Sequence, residues 1–187
     1  MKKYLNRIFI LCGFLSAISA QAGPGGPFEV STGFSFSRTK YNETSYTWTR
    51  TWGGSFGFDL TPITQLEFSY STTTTRNKID NYEDTTFVDR MYSANVLQQL
   101  LSRNSPIQPY VKAGIGQMNR DASGTYANGV SPGAHTDSVT AILGAGIKVY
   151  LTRNLGLRAE ATSYLTGARI SSYKDNVGFT FGTSLSF

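Results

Sequence analysis

The sequence predicts an all-β chain, an eight-stranded antiparallel up-and-down transmembrane β-barrel. Three observations predict it: eight segments alternate with a period of two, their second face is built of small polar residues, and their connections alternate between short and long. The carboxyl-terminal segment shows the pattern most clearly. Val177, Phe179, Phe181, Leu185 and Phe187 share one face, against Gly178, Thr180, Gly182, Ser184 and Ser186. A soluble sheet would bury the apolar face under a second layer. A membrane barrel turns that face to lipid and keeps the polar one for its lumen.

The first residues read as an export signal. Lys2, Lys3 and Arg7 form a basic head, residues 8–18 an apolar run, and Ala20, Gln21 and Ala22 an A-x-A cleavage site. A membrane-spanning helix needs about 20 apolar residues, and this run is shorter. Residues 1–22 are thus expected to be a cleaved signal peptide, and 23–187 one barrel domain. The one cysteine, Cys12, lies in the signal, so neither a disulfide nor thiol chemistry is expected in the mature chain. The chain carries 17 Lys and Arg against 12 Asp and Glu, a formal charge of +5. Without Lys2, Lys3 and Arg7 this becomes 14 against 12, or +2, which is no nucleic-acid signature.

The alternation places strands near 28–41, 46–60, 65–76, 85–100, 108–119, 138–151, 155–167 and 174–187. In the first, Phe28, Val30, Phe34 and Phe36 oppose Glu29, Ser31, Gly33 and Ser35. The second sets Trp48, Trp52, Phe56 and Phe58 against Thr49, Gly53, Ser55 and Gly57, and the third sets Leu66, Phe68 and Tyr70 against Glu67, Ser69 and Ser71. The fourth is the least regular, because Met91 and Leu97 break its pattern. The sixth sets Val139, Leu143, Ile147 and Val149 against Thr140, Gly144, Gly146 and Lys148. Connections at 61–64 and 152–154 are tight, and that at 101–107 is moderate. Those at 77–84 and 120–137 read as long polar loops. Short turns on the periplasmic side and long loops outside are the habit of such barrels, and pairing strand eight with strand one removes every edge.

From about residue 28 to 187 the chain resembles the small OmpA/OmpX-like outer-membrane barrels, a group that includes opacity-type adhesins. The resemblance rests on Pro109-Tyr110-Val111-Lys112-Ala113-Gly114-Ile115-Gly116 and on the terminal Phe187. It implies a Gram-negative outer membrane, a monomer and no cofactor, and a periplasmic peptidoglycan-binding domain is not expected after the last strand. Phe179, Phe181, Leu185 and Phe187 resemble the signal read by the barrel-assembly machinery. The family's members include adhesins, structural proteins and a few lipid-modifying enzymes.

Two clusters follow from parity. Glu29, Asp59 and Glu67 point inward from strands one to three. Lys112, Lys148 and Arg158, with Glu160, point inward from strands five to seven. An acidic wall would then face a basic one in a lumen just wide enough for side chains to fill. Buried charges are costly unless paired, so a cross-lumen network that closes the barrel is expected. A charged conducting constriction is the alternative. On the outer face, Arg38, Arg50 and Arg76 fall at one height near the rim, beside Trp48. There they either hold lipopolysaccharide phosphates bidentately or stand solvated above the membrane.

Catalysis and metal binding have little support. His135 sits at the end of the longest loop with Asp137 and Ser138 near it in sequence, but a triad is defined by geometry. The reading is a structural or adhesive surface protein that contacts outer-membrane lipid, lipopolysaccharide and a host or surface ligand. Loops near 77–84, 120–137 and 168–173, with Tyr82, Tyr126 and Tyr173, would make the contact. A small channel for ions or apolar solutes is the alternative, and a lipid-modifying enzyme the third reading.

Overall fold

A computed structural model describes residues 26–41, 44–79, 83–101, 105–126, 135–166 and 177–187. The expected signal peptide, the 168–173 connection, and Tyr82 and Tyr173 lie outside the described residues. Eight strands follow in order: β1 Phe28–Lys40, β2 Tyr46–Thr61, β3 Thr64–Ile79, β4 Glu83–Gln99, β5 Ile107–Tyr126, β6 His135–Tyr150, β7 Leu155–Thr166 and β8 Val177–Ser186. Each pairs antiparallel with the next, and β8 pairs with β1 to close the barrel.

The two tight turns are built alike. Thr61 Oγ1 accepts from the amides of Ile63 at 3.3 Å and Thr64 at 3.0 Å. Thr152 Oγ1 accepts from those of Asn154 at 3.3 Å and Leu155 at 3.0 Å. A threonine hydroxyl that bonds its own backbone a few residues on fixes a turn without needing glycine. The start of β1 and the last residue meet at this same end of the barrel, where Phe28 and Phe187 exchange both backbone hydrogen bonds, 3.1 and 2.9 Å.

At the opposite end the strands run further than the alternation predicts. β3 continues to Ile79 and β4 begins at Glu83, while β5 reaches Tyr126 and β6 begins at His135. The expected loops at 77–84 and 120–137 are therefore largely strand. Beyond the apolar band the outer face has no lipid to match, so the period-two signal fades. Backbone pairing still holds the ladder, as in Thr85 with Gly124 and Asp121 with His135.

The outer face is apolar and uncovered: Phe181 is 68% exposed, Ile115 68% and Val139 69%. Aromatic rings gather at both edges of this band. Near the turns, Phe28 lies 5.7 Å from Phe56 and 6.2 Å from Phe187 between ring centres. Toward the other end, Tyr70 lies 6.0 Å from Trp52 and 4.9 Å from Tyr92. Such belts are what membrane–water boundaries select. Met91 and Leu97, which break the alternation of the fourth segment, are buried and point inward.

The ladders are sheared. From Phe34, partners followed through β2 to β5 reach Asp137 on β6. Followed through β8 and β7 they reach Ile147, a stagger of ten residues. The strands tilt accordingly, and a ladder row climbs as it passes round the barrel from β1 towards β6.

Candidate functional site

The inward charges meet in the half of the lumen nearer the tight turns. Glu29 and Glu67 share one ladder row with Gly57 between them, and Asp59 stands a row nearer the turns, opposite Gln65. Lys148 is directly opposite Arg158, and Glu160 stands two residues beyond Arg158 on the same strand. The expected division into acidic and basic walls is thus incomplete, since Glu160 lies among the cations.

Arg158 is the centre of the cluster. Its Nη1 donates to Glu67 Oε2 at 2.5 Å and its Nη2 to Glu160 Oε2 at 2.5 Å. Its Nε donates to the Tyr110 hydroxyl at 2.7 Å, and that hydroxyl donates onward to Glu160 at 2.6 Å. Lys112 bonds Glu160 and lies 3.6 Å from Glu67. Lys148, 0% exposed, bonds Glu29 at 2.8 Å and the Gln65 carbonyl at 3.1 Å. The Gln65 amide in turn donates to Asp59 at 3.1 Å. Ser55 and Thr162 donate to Glu67 and Glu160 at 3.0 and 2.6 Å. Three buried cations thus meet three buried carboxylates, and neutral hydroxyls and amides fill the remaining lone pairs. This is the condition under which burial of charge is tolerable.

Tyr110 and Gln65 join the expected lumen charges as neutral members, and parity carries both. Tyr110 shares the inward face with Lys112, and Gln65 with Glu67. The Tyr110 ring lies under Arg158 at 5.2 Å and Lys148 at 5.7 Å. Gly146 makes room for it, because a Cβ there would fall 2.4 Å from the Tyr110 hydroxyl.

On the outer face, Arg38, Trp48 and Arg76 occupy one ladder row, and Arg50 stands two residues nearer the tight turns than Trp48. The shear lifts Arg76 above Arg38, so the three arginines do not share one height. Arg38 sits over Tyr46 at 5.3 Å and Arg50 over Trp48 at 5.9 Å. Arg76 instead forms a bidentate pair with Asp84, 2.9 and 2.7 Å, which occupies the fork that a phosphate would need.

His135 belongs to β6, not to a loop. Its Nδ1 lies 2.7 Å from Asp121 and its Nε2 3.1 Å from Asp137, and Asp121 also accepts from Arg90 at 2.6 Å. The cluster stands past Val139, beyond the apolar band. The Asp121 bond, then the Asp137 charge, raise the His135 pKa above its ordinary value. His135, then Arg90, lower that of Asp121.

A closed, sheared eight-strand barrel with a lipid-facing apolar band, two aromatic belts and a polar, ion-paired interior is a transmembrane barrel of the bacterial outer membrane. The profile of the outer membrane protein beta-barrel domain matches residues 8–187, and the chain belongs to that family. Among solved structures it is similar to the N-terminal β-barrel domain of Pseudomonas aeruginosa OprF, with 18% identity, TM-score 0.58, and coverage of 87% of this chain and 99% of that one. It is also similar to Ail, the attachment invasion locus protein of Yersinia pestis, with 16% identity, TM-score 0.55, and coverage of 86% and 97%. A third is Neisserial surface protein A, with 15% identity, TM-score 0.52, and coverage of 88% and 100%. No curated protein matches the chain by sequence.

Arg158→Gln leaves Glu67 and Glu160 facing each other with Lys112 as the cation they still share. Removing one partner of a buried pair costs about 3–5 kcal/mol, so urea unfolding of the reconstituted barrel is expected to shift by that order. Glu67→Gln in the same chain is expected to cost less than the sum of the two singles; additive losses would show the groups to be uncoupled.

His135 gives a pH signature. Its folded pKa is raised, so its contribution is complete below the unfolded value of about 6.5 and is lost as pH rises through the folded one. The imidazole resonance is expected to titrate above that of an unfolded control peptide, and Asp137→Asn to lower the midpoint. A midpoint equal to the control would show that the imidazole feels neither carboxylate.

Proposed function

We propose that this protein is a non-enzymatic surface scaffold: a monomeric outer-membrane barrel whose lumen is shut by buried ion pairs and whose extracellular end makes structural or adhesive contacts. One observation carries the reading. Lys112, Lys148 and Arg158 each bond a carboxylate across or along the lumen, so the groups that would line a conducting path are spent on one another. The engagement of both His135 ring nitrogens by carboxylates supports a non-catalytic role for that residue.

The extracellular partners we propose are lipopolysaccharide and an anionic surface ligand. Arg38 and Arg50, stacked on Tyr46 and Trp48, supply the cationic side of the rim, with Arg76 held by Asp84. Ail of Yersinia pestis has been crystallised in complex with the heparin analogue sucrose octasulfate, a polyanion of the kind such a rim would attract. Phe179, Phe181, Leu185 and Phe187, on the outer face, form the proposed contact with the barrel-assembly machinery.

Wild-type protein in a planar bilayer is expected to give no steady ion conductance, and Arg38→Gln with Arg50→Gln to reduce co-purifying lipopolysaccharide without unfolding the barrel. A stable wild-type conductance would replace the scaffold with a channel. Unchanged lipopolysaccharide would leave the two arginines merely solvated.

A further inference from the structure

The ladder that closes the barrel stops short of its strands. It runs from the Glu29–Ser186 pair to the Phe34–Phe181 pair, while β1 continues to Lys40 and β8 starts at Val177. Continued in register, it would set Phe36 against Phe179 and Ser37 against Gly178. Among the described residues these positions have no partner across the seam. Both strands stay regular there, because β1 remains paired to β2 as far as Lys40 and β8 to β7 as far as Val177. They part only from each other.

Behind the gap lies a vestibule of about 700 Å3, bordered by both parted strands and reaching inward to Met91, Met118 and Tyr164. That volume is in the range of small-molecule pockets. Its polar wall groups are largely satisfied among themselves. Thr49 shares a hydrogen bond with Thr75 at 3.2 Å, and Thr51 with Thr73 at 2.8 Å. Arg120 forks onto Asp89 at 2.6 and 2.8 Å. An apolar occupant therefore breaks few polar contacts. Towards the periplasm the vestibule meets the Arg158 network, so it is a dead end.

The mouth faces the membrane. Phe36 and Phe179 flank it on the lipid side, 59% and 61% exposed, with Arg38 and Trp48 at the rim just above. This is outer-leaflet depth. Unpaired backbone groups facing hydrocarbon are costly, and a parted seam needs something to satisfy them.

We propose that the β1–β8 seam is a lateral opening through which one acyl chain of an outer-leaflet lipid enters the vestibule. The ester or amide linkage accepts from the free backbone N–H groups at the seam, and the methylenes occupy the space beside Met91 and Met118. The proposal goes beyond the scaffold reading and is compatible with it, since the floor stays shut.

The test uses a tryptophan reporter in the full-length barrel. Trp48 and Trp52 are replaced by Phe, and Met91→Trp places the one remaining indole in the vestibule. Ser37→Cys with Gly178→Cys supplies a lock across the seam. A Cβ at Gly178 meets only the Tyr164 ring, at 3.7 Å, and the chain's one native cysteine is Cys12. In phosphatidylglycerol vesicles with brominated acyl chains, emission of the reduced form is expected to fall at least by half relative to unbrominated vesicles. It is expected to recover when the pair is oxidised and to fall again on reduction. Absence of quenching in the reduced form would show a water-filled vestibule and overturn the proposal. Equal quenching in the oxidised form would overturn access through the seam. Quenching only by a brominated free fatty acid, added to unbrominated vesicles, would overturn the lipid as source. Heat-dependent gel migration reports folding, and Met118→Trp serves as reporter if Met91→Trp does not fold. Failure here would leave a non-conducting scaffold intact, whereas the conductance measurement tests that reading by itself.

Discussion

Inside a bilayer a backbone amide finds no water, so each must be paired within the protein, and a sheet can satisfy that only by closing on itself. In this chain closure falls on β1 and β8, whose ladder has six rungs, Glu29–Ser186 to Phe34–Phe181. Every other seam is longer. At the rung where Gly33 faces Gly182, a Cβ on Gly182 would lie 1.8 Å from the Thr32 carbonyl oxygen. The two strands approach closely there because a side chain is missing. At the end of the ladder nearer the tight turns, Phe28 and Phe187 exchange backbone bonds, and Asn154 ties down the Ser186 carbonyl at 2.6 Å. The last strand is held at its carboxyl-terminal end and loosest at the other.

Closure also dictates what the interior must be. An eight-strand barrel has room for side chains and little else, and its lipid-facing parity leaves polar residues inside. Long charged side chains can then bridge the lumen, but each is desolvated and needs a partner. The chain answers with three cations and three carboxylates around one tyrosine. Glu67 and Lys148, like Leu97 and Tyr110 beside them in the lower half of the lumen, are nearly free of solvent, and shielding from water strengthens the electrostatics of the network. Rigidity in this half is the counterpart of the open vestibule above it.

Shear makes the rim uneven. β4 to β6 project past the apolar band, whereas β1 and β8 are shorter. The cations divide along the same line. On the projecting strands Arg90 and Arg120 are tied to Asp121 and Asp89, neutralising a region that must stay soluble without lipid. On the low side Arg38 and Arg50 carry no such carboxylate fork among the described residues and lie over the aromatic rings of Tyr46 and Trp48.

Strand number, face and pairing order were legible in the sequence because they depend on parity, a local property that each strand carries alone. The inward placement of Glu29, Glu67, Lys112, Lys148, Arg158 and Glu160 is parity too, and the adjacency of Lys148 and Arg158 follows from one tight turn. Parity does not say which carboxylate meets which cation across the lumen. That depends on barrel shear, a closure property set by eight registers together, and it gives Arg158 Glu67 and gives Lys148 Glu29, whereas Glu160 meets Arg158 as its near neighbour on β7. The same shear decides that Arg76 rises above Arg38, while its turn to Asp84 belongs to the β3–β4 pairing alone. The strand ends beyond the bilayer escaped the sequence because pairing there no longer requires an apolar face. The early end of the β1–β8 ladder escaped it too, because Phe36 and Phe179 alternate as faithfully as the paired residues below them. Only the geometry of closure separates the two halves of that seam.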